Sequence, residues 1–154
     1  MAVSEPSRTT GPIVSRHQSK VLSGLFRHVD ADKRLKVLEI GPALPETVEF
    51  FSQFKCRLQF IDQYDEDFLQ DRQDDMSEKE LRHLFEEKLD FPEGERLDIC
   101  QFGDFLSFLD DRALRAFNSA LRPWLHSGTR AHGFGVHHMA VKLEHYQYGI
   151  IDQE

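Results

Sequence analysis

The run Leu35-Lys-Val-Leu-Glu-Ile-Gly41, followed about twenty positions later by Phe60-Ile61-Asp62, constrains the fold of this chain more than any other part of it. It reads as an apolar strand, a glycine turn, a helix and a second strand that ends in a carboxylate. That order is half of a cofactor-binding α/β unit. In such a unit glycine lets the backbone approach a ligand, and the acid meets a ribose hydroxyl at the carboxyl edge of the sheet. A complete G-x-G turn would carry glycine at position 43, where this chain has Ala43 in the run Gly41-Pro-Ala-Leu-Pro45. The pyrophosphate of a dinucleotide must rest on the bare amides that open the following helix. Here that helix opens with Glu46 and Glu49, which complement its positive dipole end and repel a phosphate. NAD, FAD and nucleotide phosphates are disfavoured, whereas a ribose-bearing ligand with a cationic sulfonium and amine suits the acidic rim.

Those residues carry a resemblance. Val37-Leu-Glu-Ile-Gly41 is similar to the first motif of class I S-adenosylmethionine-dependent methyltransferases, including the acid Glu39 two residues before the glycine. Asp62 falls where that family's ribose-binding acid ends its second strand. Phe91-Pro-Glu-Gly94 before Leu97-Asp-Ile99 looks like the family's loop and start of strand four, and Ala120-Leu-Arg-Pro123 with Gly128 looks like the close of the helix before strand five. Together these segments span about residues 34–138. The resemblance implies an α/β fold, doubly wound, with a mostly parallel sheet of about six strands and helices on both faces. It also implies an S-adenosylmethionine site built on Glu39, Gly41, Ala43 and Asp62, with Gln63 and Asp90 on the adenine side and Phe102 beside them. The family closes its sheet with an antiparallel hairpin, for which this chain has residues for only one strand, at about 146–151.

Periodicity supplies the remaining elements. Residues 1–12 read as a loose arm and 13–154 as a single Rossmann-like domain. Val21, Leu22, Leu25, Phe26 and Val29 recur at helical spacing and predict a helix over 15–29. A helix is expected over 45–54, with Pro45 at its first position and Val48, Phe51 and Phe54 on its buried face. Strand two is expected over 57–62. Ser77 and Glu80 form a capping box for a helix whose buried stripe is Leu81, Leu84, Phe85 and Leu89. Only residues 88–91 remain for a short strand three. Strand four spans 97–102, a helix 110–122 turns Leu114, Phe117 and Leu121 inward and exits at Pro123, and strand five covers 130–136.

At 154 residues and 40% apolar, with 13 phenylalanines, the chain can bury the core of one ordinary domain. It lacks an apolar run long enough to span a bilayer and a signal-peptide core, and reads as a soluble cytoplasmic protein that does not bind membranes. Cys56 and Cys100 lie in expected strands and read as small buried hydrophobes of a reducing compartment. A formal net charge of −8 argues against nucleic acid, whose non-specific affinity rests on Lys and Arg. The acids concentrate between Asp62 and Glu80, as a solvated face or a surface for a basic protein partner.

Chemistry is harder to assign. Gly41 reads as a cofactor turn or a plain helix entry, and Asp62 as a ribose ligand or a turn cap. In Gln101-Phe-Gly-Asp104 the amino-methyltransferase signature N/D-P-P-Y is absent; Asp104 is a proton acceptor or a helix cap, and Phe102 a stacking platform or core filler. His132 and His138 share a strand face with His137 opposite, but no acid or cysteine stands at ligand spacing, so no metal site is expected; a histidine cluster at a subunit contact reads equally well. No nucleophile elbow or phosphate loop occurs. The expected function is a methyltransferase-like protein that has lost catalysis and serves as a binding or scaffold module; a separate reading is a subunit whose incomplete sheet a protein partner or a second copy completes. The alternative is an active S-adenosylmethionine-dependent methyltransferase acting on a small molecule.

Overall fold

The computed structural model describes residues 16, 18–30, 32–62, 74–135 and 149–151. In chain order they form β1 (Leu35–Ile40), α1 (Pro45–Ser52), β2 (Cys56–Ile61), α2 (Glu78–Lys88), β3 (Leu97–Gln101), α3 (Asp111–Leu121) and β4 (Leu125–His132), with short 3₁₀ turns at Leu22–Leu25, Phe105–Phe108 and Arg122–Trp124. The four strands make one sheet in the order β2-β1-β3-β4, every neighbouring pair parallel. Parallel strands buried on both sides need apolar residues at both parities. β1 meets this demand: Leu35, Val37, Leu38 and Ile40 are all buried.

The two faces are covered differently. Leu38, Ile40 and Cys100 face α2 and α3, in a core with Leu81, Phe85, Leu89, Phe105 and Phe117. The rings of Phe85 and Phe105 each meet Phe117 edge-on with centroids 5.3 Å apart. On the other face Val37 and Ile99 pack with Leu25, Phe26, Phe50, Phe51 and Ile150. The chain is therefore α/β with helices on both faces of a parallel sheet. No helix among the described residues is long and apolar enough to cross a membrane. Cys56 and Cys100 are free thiols in β2 and β3, and burial pushes the Cys100 thiol up to about 12.

The local signals are realised unevenly. Ser77 Oγ accepts from the Glu80 amide at 3.2 Å while the Glu80 carboxylate accepts from the Ser77 amide at 2.9 Å, closing the expected box. Asp110 caps α3 by accepting from the Ala113 amide at 2.8 Å. The helix expected over 15–29 is instead a 3₁₀ turn at Leu22–Leu25 flanked by turns, within the described part of that span. Gly24 and Ser23 beside it weaken a helix there, and Val21 is left 68% exposed.

In α1 the inward residues are Thr47, Phe50 and Phe51, and Val48 faces solvent. In α3 the close approach of α2 selects the small residues Ala113, Ala116 and Ala120, and Leu114 sits at the margin. Residues 88–91 do not form the expected strand: α2 runs through Lys88, and Phe91 packs edge-on against Trp124 at 5.1 Å. Strand five begins earlier than expected, at Leu125, because a register shift between Leu97 and Ile99 lets β4 pair from there. Of the final strand expected over 146–151, residues 149–151 are irregular and the others lie outside the described residues, as do the amino-terminal arm, His137, His138 and most of the acidic run.

Candidate functional site

In open α/β sheets ligands bind beyond the carboxyl ends of the strands, where the strand order reverses. Here the chain passes from β1 outward to β2 and returns to β3 on the other side of β1, so the crevice lies beyond Ile40 and Gln101. Gly41 leaves β1 with φ 142°, a conformation that L side chains rarely adopt, and its amide donates to the Ile61 carbonyl at 2.8 Å. That bond sets Asp62, exposed at the end of β2, beside the turn. Among the described residues a Cβ at Gly41 would meet nothing within 4 Å, so it is the backbone angle that calls for glycine here.

The turn continues through Ala43, which is exposed, to Leu44 at the N-cap of α1, whose side chain offers no cap. Pro45 removes one of the free amides of the first turn, and Glu46 adds a negative charge there. The chain's own carboxyl-terminal part packs on this first turn: the Ile150 amide donates to Thr47 Oγ1 at 3.1 Å. A Cβ at Gly149 would lie 3.3 Å from Leu44 Cδ1. Ile150 is buried with Phe50 and Phe51 beneath.

A row of buried polar residues crosses the sheet just inside the crevice. The strand register sets Glu39 opposite Gln101 and Gln101 opposite His132, and all three are no more than 8% exposed. Among the described residues, Glu39 Oε2 and Gln101 Nε2 have no hydrogen-bond partner. Desolvation drives the Glu39 carboxyl up to about 8, so it is protonated at neutral pH. Desolvation also holds His132 below its ordinary range and keeps the ring neutral. His132 Nε2 lies 3.0 Å from Ser19 Oγ, and its ring meets Phe134 edge-on, with centroids 5.0 Å apart. The row is thus polar but uncharged, closed at one end by the segment before the first 3₁₀ turn.

The other expected site residues are dispersed. Phe102 joins the α2/α3 core, edge-on to Phe117 at 5.8 Å. Asp104 is buried at the N-cap position of the Phe105–Phe108 turn, where its side chain makes no capping bond and its carbonyl accepts from the Ser107 amide at 2.9 Å. Asp90 is exposed on the loop that enters the amino end of β3, so the structure does not bring it to the crevice; without a strand at 88–91 nothing carries it there. Gln63 lies outside the described residues. Among the described residues no group of three or more His, Cys, Asp or Glu side chains is placed to hold a metal ion.

Gln101 and His132 enter the row without having been singled out for it. The available signal was parity: Gln101 follows Leu97 and Ile99 at alternate positions of a buried strand. No family model matches the chain, and comparison with curated proteins and with solved structures gave no match.

Proposed function

We propose that this chain is a methyltransferase-like module whose crevice no longer serves catalysis, and that it acts by binding a protein partner or a second copy of itself. The order β2-β1-β3-β4, with its reversal point beyond Gly41, supports the methyltransferase-like part of the reading together with the motifs around Glu39 and Asp62. A sheet of about six strands without its complete final hairpin, a cytoplasmic setting and the absence of nucleic-acid binding belong to the same proposal.

One observation carries the loss of catalysis. The first turn of α1, where an α/β unit of this kind receives its cofactor, is packed with residues 149 and 150, and burial favours the neutral form of Glu39, the acid nearest the turn on β1. A sulfonium and an ammonium group need an anion, and burial pushes the Glu39 carboxyl up to about 8, towards its neutral form. Burying a new charge beside it would cost more than it returns unless the acid ionised.

The rival reading, an active S-adenosylmethionine-dependent methyltransferase on a small molecule, is favoured by the unobstructed Cβ direction at Gly41 and by Asp62 next to it. Thermal denaturation with S-adenosylhomocysteine separates the two. A ligand at a hundred times its Kd stabilises the folded state by about 2.7 kcal/mol, so millimolar ligand that leaves the Tm unchanged agrees with the proposal, and a rise of several degrees overturns it.

A further inference from the structure

The amino end of the sheet carries a concave surface of a different kind. A cleft of about 330 Å³ opens where β1 and β2 begin, lined by Arg34, Lys36, Arg57 and the turn at 92–95. Register sets Lys36 directly opposite Arg57 on the neighbouring strand. Like charges so placed repel one another, and the strands hold them together nonetheless. The Lys36 amide is fixed by a 2.9 Å bond to Asp98 Oδ2, which sets where its side chain departs. Beneath Arg57 lies Glu95, 5% exposed, with its Oε2 3.6 Å from Arg57 Nη1 and no hydrogen bond on that oxygen. That separation is an ion pair without a hydrogen bond, so Arg57 is held in place with guanidinium donors to spare. Among the described residues, the side chains of Arg34 and Lys36 make no ion pair.

The lining charges are Arg34, Lys36 and Arg57 against Glu93 and Glu95, three positive and two negative, which leaves one positive charge in a chain of formal net charge −8. One negative charge balances that surplus; a dianion would exceed it and press on Glu93. The volume lies at the lower end of the range for small-molecule sites, larger than a bare carboxylate needs. Guanidinium forks match the planar carboxylate with two parallel bonds. We infer that this cleft binds a small organic monocarboxylate, its oxyanion held by Arg34, Lys36 and Arg57, with Glu95 positioning Arg57 from below. The site stands at the opposite end of the strands from the crevice and does not depend on the function proposed above.

The test is a titration of sodium butyrate into the isotopically labelled chain, followed by amide NMR with ionic strength held constant by sodium chloride. Saturable shifts centred on Lys36, Arg57 and Gly94 are expected, and the R34Q/K36Q variant should bind roughly fivefold or more weakly. Arg34 is exposed and Lys36 partly buried, and the dispersion of the variant's spectrum reports that it remains folded. Equal shifts from chloride alone, unchanged affinity in R34Q/K36Q, or tighter binding of inorganic phosphate than of butyrate would each overturn the assignment.

Discussion

Glu39 and Glu95 are equally buried, each 5% exposed, yet they sit at opposite ends of the same strands in opposite surroundings. Glu39, near the carboxyl end, has Gln101 as its neighbour across the register and is driven to its neutral form by burial. Glu95, at the amino end, has the Arg57 guanidinium 3.6 Å away and two further cations along the same cleft. The two carboxyl groups thus differ in what faces them, an uncharged amide at Glu39 and a guanidinium at Glu95. The consequence for function is a buried, uncharged polar row at the carboxyl end, beside the exposed Asp62, and an open cleft lined by three cations at the amino end.

The sharpest way to break this contrast is through Glu39. Its folded-state pKa is raised from 4.5 to about 8, so between those values the folded chain holds a proton that the unfolded chain has released. Stability therefore falls as pH rises across that window and levels off above it, a loss on the order of 4–5 kcal/mol in all. Urea unfolding near the two ends of the window should show it, and Glu39→Gln should remove most of the difference. His132 tilts the other way with a smaller effect. Its folded pKa is lowered, so the unfolded chain binds the extra proton and stability is lost as pH falls below the usual histidine value of 6.5; His132→Gln should flatten the acid side.

Next in size is the turn that ends β1. Gly41→Ala forces a side chain into φ 142° with no clash to relieve, so the whole loss is backbone strain of about 1–3 kcal/mol, read as a lower Tm. Thr47→Val then leaves the buried Ile150 amide without its acceptor, at a cost of about 1–2 kcal/mol. It should also speed amide exchange at Ile150 while leaving β3 protected. The smallest effect is expected at the charged end. Arg57 is half exposed, and Arg57→Gln should cost about 0.5–1 kcal/mol by urea unfolding, with a loss that shrinks as salt is added.

How much of this was legible in the sequence follows from whether each signal is local. The bounds of β1, the glycine after it and both bonds of the Ser77–Glu80 capping box depend on a few adjacent residues and appear where the sequence places them. The helix before β1 depends on an apolar period that Gly24 interrupts, and there periodicity alone misleads. In α1 the apolar pattern places Phe51 inward as found but turns Val48 the wrong way, because Val48 is apolar and Thr47 is not, although Thr47 is the residue that accepts a hydrogen bond from the distant residue Ile150. The row Glu39, Gln101, His132 brings together three strands far apart along the chain, so their register decides it and no local pattern announces it. The same holds for the cleft, since Arg34, Arg57 and Glu95 are neighbours only once β1, β2 and the loop before β3 are assembled.

Calorimetric titration of S-adenosylmethionine and S-adenosylhomocysteine into the purified protein at neutral pH addresses most directly the proposal that the crevice no longer serves catalysis. The expected result is no heat of binding up to millimolar ligand. Saturable binding near 1 μM, on the order of −8 kcal/mol, would contradict it, and would mean that Glu39 ionises and residues 149 and 150 give way when the cofactor enters.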